Sequence, residues 1–158
     1  MRKISLILGV VLVVLASSCK KKEDPKPVLE YLTGTTSKTW KVNKVVVKQG
    51  TAEVDLLSGQ KACDTDNLLV LFTDKSYEFR EGATKCDAGN PDLILKSSWV
   101  LNETEKSINI SKFVFLGRTI ENAKLVITDI NDNSFTGTTD IQFNGTTYSG
   151  VITFAVVK

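Results

Sequence analysis

Asp140-Ile-Gln-Phe-Asn-Gly-Thr-Thr-Tyr-Ser-Gly150 holds the strongest local signal in the chain. Asn144-Gly145 is the pair that a two-residue type I′ turn demands, because both central residues must take positive φ. A hairpin closed there sets Ile141 opposite Tyr148, Gly137 opposite Ile152 and Phe135 opposite Phe154. Between them fall Ser134, Thr136, Thr138, Asp140 and Gln142, so one face is apolar and the other polar, as a half-buried antiparallel ribbon requires. Gly137 and Gly150 sit inside these strands, where glycine often marks a bend such as a barrel corner.

Two further hairpins lie upstream. In NLLVLFTDKSYEFRE, residues 67–81, a two-residue turn at Asp74-Lys75 would set Phe72 against Tyr77 and Val70 against Phe79. Carried outward, the same register sets Cys63 against Cys86; a three-residue turn would shift it by one. In SSWVLNETEKSINIS, residues 97–111, Trp99 and Leu101 share a face with the returning Ile108 and Ile110. Adding TWKVNKVVVK, TAEVDLL, a poorly defined stretch around Phe113 to Leu116 and AKLVITDI gives eight or nine strands in simple succession. Such a meander must close or leave a sticky edge, and eight strands close into a small barrel. The expected fold is therefore an all-β, eight-stranded antiparallel up-and-down barrel.

The N-terminus has a different character. Arg2 and Lys3 precede an apolar run from Ile4 to Ala16, too short for a bilayer crossing of about 20 residues and right for a cleaved signal peptide. Leu15-Ala-Ser-Ser-Cys19 then resembles the lipobox of bacterial lipoproteins. The resemblance implies that Cys19 carries fatty acid, palmitate among the possible chains, and becomes the mature N-terminus. Of the 3 cysteines, Cys63 and Cys86 then remain, an even pair that an oxidising compartment would join. Closing that loop stabilises a fold by roughly 3 kcal/mol in the chain-entropy view. The expected organisation is residues 1–18 as signal peptide, 19–33 as lipid-anchored tether and 34–158 as the barrel domain. Residues 20–27 are charged and proline-containing, with nothing to bury, while Val28-Leu-Glu-Tyr-Leu32 could form one helical turn ending at Gly34.

The barrel pattern also carries a family resemblance. LTGTTSKTWKV near the mature start, KACDTDN before a strand, EGATKCD after its hairpin partner and SSWVL followed by SINI, together with the lipobox, resemble the lipocalin-like domain lipoproteins of Gram-negative envelopes. That family implies an eight-stranded barrel with a mouth at one end. Lys20, standing where an aspartate would retain a lipoprotein at the inner membrane, implies the outer membrane; periplasmic and surface facing both remain open.

Charge and composition narrow the function. Without Arg2 and Lys3, the 20 basic side chains fall to 18 against 18 acidic ones, so no basic stripe for nucleic acid is expected. The chain has 0 histidines, which removes the commonest general base and metal ligand. No glycine-rich phosphate loop is present. The expectation is a monomeric non-enzyme without cofactor, whose partners are a membrane, through its lipid, and a small ligand.

Two binding readings follow. In the first the barrel holds an apolar ligand among Trp40, Phe72, Tyr77, Phe79, Trp99, Phe135, Tyr148 and Phe154, although eight aromatics could equally fill the interior. In the second the barrel is a filled scaffold and its loops bind a protein or glycan. The loops flanking the cysteines gather Asn67, Glu81, Asn90 and a weak calcium candidate, Asp64, Asp66, Asp87 and Asp92.

Overall fold

The computed structural model describes residues 26–49, 51–143 and 146–158. The expected signal peptide, Cys19 and the expected Asn144-Gly145 turn lie outside them. The elements run α1 (Val28–Thr33), β1 (Ser37–Gln49), β2 (Ala52–Asp55), α2 (Ala62–Thr65), β3 (Leu68–Phe72), β4 (Ser76–Arg80), β5 (Leu93–Asn102), β6 (Ser107–Phe115), β7 (Arg118–Ile130), β8 (Ser134–Phe143) and β9 (Thr146–Val156). Each strand from β3 to β9 pairs antiparallel with the next, β1 pairs with β3, and β9 returns to β1. The result is a closed eight-stranded barrel, with β2 added along the far half of β1 from Val46↔Asp55 to Gln49↔Ala52.

The β8–β9 hairpin has the register that Asn144-Gly145 demands. Ile141↔Tyr148, Gly137↔Ile152 and Phe135↔Phe154 are all rungs of its ladder. In β1 a bulge between Val42 and Lys44 inserts Asn43 as an extra residue. Trp40 and Val42 face inward before it, Val45 and Val47 after it; without the extra residue the second pair would face solvent.

The β3–β4 hairpin departs from expectation by one residue. Its rungs are Leu71↔Tyr77 and Leu69↔Phe79, so Phe72 does not face Tyr77, nor Val70 Phe79. The turn has three residues. Lys75 N bonds Phe72 O at 3.1 Å, and Lys75 itself takes φ 71. Asp74 locks the bend by accepting from the Ser76 amide at 2.8 Å and hydroxyl at 2.6 Å. The Cys63–Cys86 disulfide forms all the same, with Cα atoms 5.2 Å apart. It joins α2 to the loop of residues 81–92, so the loops and not the ladder bring the sulfurs together.

One end of the barrel, here the base, is sealed. Helix α1 lies across it with Leu32 fully buried, and Trp40 Nε1 donates to Leu32 O at 2.8 Å. Folded structure thus includes residues that the sequence reading assigned to the tether. Trp99 Nε1 donates to Ser76 O at 3.0 Å, and Phe135 packs edge-on to Trp40 at 4.8 Å and stacks on Phe154 at 4.3 Å. Lys75 and Lys38 lay their ammonium groups over the Trp99 and Trp40 rings at 4.3 and 4.9 Å, which shields the indoles from outside.

Toward the opposite end the wall divides. Rungs between β5 and β6 run from Asn102↔Ser107 to Trp99↔Ile110 and stop; rungs between β7 and β8 run from Ile130↔Phe135 to Val126↔Thr138 and stop. Past those points β6 and β7 continue to Phe115↔Arg118, paired only with each other among the described residues. They form a two-stranded arm over residues 111–122.

Candidate functional site

The split wall creates two hollows, one on each side of the arm. The larger, about 470 Å³, opens where β7 leaves β8. Ile110, Phe113, Leu125, Ile141, Ile152 and Phe154 make its apolar lining, and Glu121, Lys124, Asp140 and Gln142 stand on its polar rim. Strand alternation explains most of the division: Ala123, Leu125 and Ile127 of β7 and the odd positions of β8 face in, and Lys124, Asp140 and Gln142 face out. A volume of this size lies within the range of small-ligand pockets, about 300–1,000 Å³.

Two glycines make room for the lining. A Cβ on Gly137 would come within 2.5 Å of the Leu125 side chain, and one on Gly150 within 2.5 Å of Ile141. Leu125 and Ile141 can therefore lie flat over the neighbouring strands, where a larger residue would push them into the hollow.

The second hollow, about 370 Å³, opens where β5 leaves β6. It is more polar, with Asp64, Asn67, Glu81 and Asn90 on the disulfide side, and Phe79, Ile94, Val114 and Leu116 opposite.

Of the eight aromatics expected to line a ligand site, Phe154 borders the larger hollow and Phe79 the smaller. Trp40, Tyr77, Trp99 and Phe135 are fully buried in the packed core. Tyr148 is half-buried on the Ile141 rung, and Phe72 is half-buried at the base beside Ser37. Four of the eight fill the barrel, and the larger opening is lined by Ile110, Leu125, Ile141 and Ile152 together with Phe113 and Phe154. Residue type alone selected several members of the inward face that the core packs; the in-strand glycines were the available signal for Leu125 and Ile141.

Tyr77 Oη is buried with no partner in good hydrogen-bond geometry. Desolvation raises its pKa well above the usual phenol range, and the Val114 backbone offsets only part of that rise. On the outer wall Glu78 is pinned by Lys96 at 2.9 Å and by Arg80, and both contacts hold its carboxyl below the usual range.

The four acids of the calcium candidate do not converge. Asp66 Oδ2 accepts from the Thr84 amide at 2.8 Å, Asp87 from the Gly89 amide at 2.9 Å, and Asp92 pairs with Lys85 at 2.6 Å. Asp64 Oδ1 lies 3.6 Å from Cys86 Sγ, but that sulfur and Cys63 Sγ are bonded to each other, so this group offers no thiolate to a metal. Among the described residues no helix is long and apolar enough to cross a membrane. A scan against protein-family models finds no match, and a search of curated proteins finds no significant relative.

Proposed function

We propose that the chain is a non-catalytic binding module that takes a small apolar ligand into the hollow between β7 and β8. The observation that carries this reading is an apolar recess of about 470 Å³ in a barrel whose other half is solidly packed. A folding core gains nothing from an unfilled, wall-breaching hollow, whereas a binding site requires one. The polar rim would orient a ligand with one hydrophilic end. The lack of histidine in the chain, and of any joined acid cluster among the described residues, supports a binding role over a catalytic one.

In the same reading, fatty acid on Cys19 holds the module on a bacterial envelope membrane, and the outer membrane fits Lys20. Support comes from Leu15-Ala-Ser-Ser-Cys19 and from the resemblance to lipocalin-like lipoproteins, with which the eight-stranded barrel agrees. Chain entry at the base leaves both hollows at the end remote from the tether. Several acyl chains, at about 0.8 kcal/mol per buried methylene, would make such attachment effectively permanent.

An apolar fluorescent dye tests the site. Saturable binding is expected, weakened roughly tenfold or more by Ile141→Arg, which puts a charge in the lining. Unsaturable binding, or binding unchanged in that variant, would refute it. For the anchor, the intact mass of protein extracted from its own membrane should exceed that of residues 19–158 by several acyl chains; an unmodified Cys19 would contradict it.

The more polar hollow beside the disulfide favours a second reading, recognition of a protein or glycan by residues 56–67 and 81–92. Loss of a partner on changing Asn67 and Asn90, with dye binding intact, would select it.

A further inference from the structure

We infer that the β6–β7 arm, residues 111–122, is a hinged lid over the larger hollow and not a fixed part of the wall. The inference rests on the binding reading above only for what the lid admits; the motion stands on the arm itself.

Strand pairing isolates the arm. Its neighbours let go at Trp99↔Ile110 on one side and Val126↔Thr138 on the other, so the described part of the arm has no ladder to β5 or β8. Hollows lie along both flanks, and Phe113, with Val114 and Phe115 beside it, joins the arm to the core. Segments with few buried contacts are those that open first in native proteins.

A hinge is built in at the right position. Between Ile110↔Ala123 and Lys112↔Glu121 the ladder skips one rung, Ser111 with Asn122. Asn122 takes φ 52, a left-handed conformation that few residues other than glycine adopt and that asparagine tolerates best. Beyond the hinge the arm is coherent. Four rungs run from Lys112↔Glu121 to Phe115↔Arg118, the turn has Leu116 at φ 47 and Gly117 at φ 72, and Phe113 stacks with Phe115 at 6.4 Å. These features let the arm tilt as a unit about its stem.

Two opposed forces act on the closed position. Phe113, only 5% exposed, holds the arm down by its burial, and Ser111 Oγ meets Ser98 Oγ at 3.0 Å. Against them, Tyr77 Oη is buried with no partner in good hydrogen-bond geometry, the Val114 backbone of the arm giving it a contact too weak to offset its desolvation. Lifting the arm would admit water to that hydroxyl and relieve its desolvation. A closed state with one ungratified polar group and one apolar latch is poised between two positions.

Amide hydrogen exchange on the full chain tests the lid directly. The paired amides between residues 112 and 121 should exchange together, with protection roughly a hundredfold below that of β8–β9. Tyr77→Phe removes the orphan hydroxyl and should raise the arm's protection about fivefold without a matching change in β8–β9. The double variant Ser98→Cys with Ser111→Cys, oxidised, should bring the arm to the protection of its neighbours and slow uptake of 8-anilinonaphthalene-1-sulfonate roughly tenfold, while wild type given the same oxidant is unaffected.

Arm protection equal to that of β8–β9 in wild type would overturn the lid, as would undiminished dye uptake by the locked protein. If the double variant fails to fold, the exchange of wild type and Tyr77→Phe decides. Failure of the dye to bind wild type would instead count against the ligand reading, with the exchange pattern still deciding the lid.

Discussion

The base and the split end of this barrel are made from the same strands and behave as opposites. At the base, β5–β6 and β7–β8 are laddered, both tryptophan indoles donate to backbone carbonyls, and α1 closes the opening. At the split end the same strand pairs part, and two hollows take the place of side chains. The difference teaches that one half folds the molecule and so frees the other half from having to be filled. A recess that costs packing energy can persist only beside a core with stability to spare.

Substitutions should separate the halves. Trp40→Ala empties the base and orphans Leu32 O, and should cost about 3–5 kcal/mol in denaturant titration, enough to unfold a marginal domain. Equal losses from Phe113→Ala would erase the contrast. Replacing both Cys63 and Cys86 by serine releases a constraint across a separation of 23 residues and should cost roughly 3 kcal/mol, read as a lower melting temperature with dye binding retained.

Gly137→Ala lies on the boundary between the halves. Its methyl would press on Leu125 at 2.5 Å, costing about 1–3 kcal/mol and narrowing the hollow, so dye affinity should fall as well. A stability loss with no change in affinity would remove Leu125 from the lining. Phe113→Ala removes the latch of an arm already flanked by hollows, where little must collapse, and should cost only about 1–2 kcal/mol while speeding dye uptake.

Acid should have the smallest effect near neutrality. Hydrogen bonds from Lys96 and Arg80 lower the pKa of Glu78, from Lys124 that of Glu105, and from Lys26 that of Asp132. Their folded-state values lie below the unfolded ones, so the stability they add is present above about pH 5 and lost as pH falls through about 4 and lower. Melting temperatures should be flat from pH 6 to 8 and decline in acid; a decline on raising pH in that range would contradict these pairings.

How much of this could be read from sequence follows the same division. Asn144-Gly145 dictated the β8–β9 register because turn chemistry and alternation agree there, and closure followed from a meander of about eight strands, which must close or leave an edge. The β3–β4 register went astray by one because the turn length hangs on Lys75 adopting a positive φ, which lysine does not advertise. The Asn43 bulge was visible only as an uneven spacing, Trp40, Val42, then Val45 and Val47. Where strands stop pairing is set by contacts distant in sequence, so the hollows had no local signature beyond Gly137 and Gly150, which lie against Leu125 and Ile141. The stretch around Phe113 to Leu116, the least regular in sequence, turned out to be the arm. The candidate ligand residues were chosen for aromatic bulk, and bulk is what the base consumes.

The most direct test is a methyl NMR titration of the full protein with an apolar fluorescent dye or a medium-chain fatty acid. Saturable shifts should gather on Ile110, Leu125, Ile141 and Ile152, leaving Leu32 and Leu71 at the packed base unmoved. Shifts confined to the packed half, spread over exposed residues such as Val100 and Val54, or absent altogether would contradict an apolar site in the divided wall.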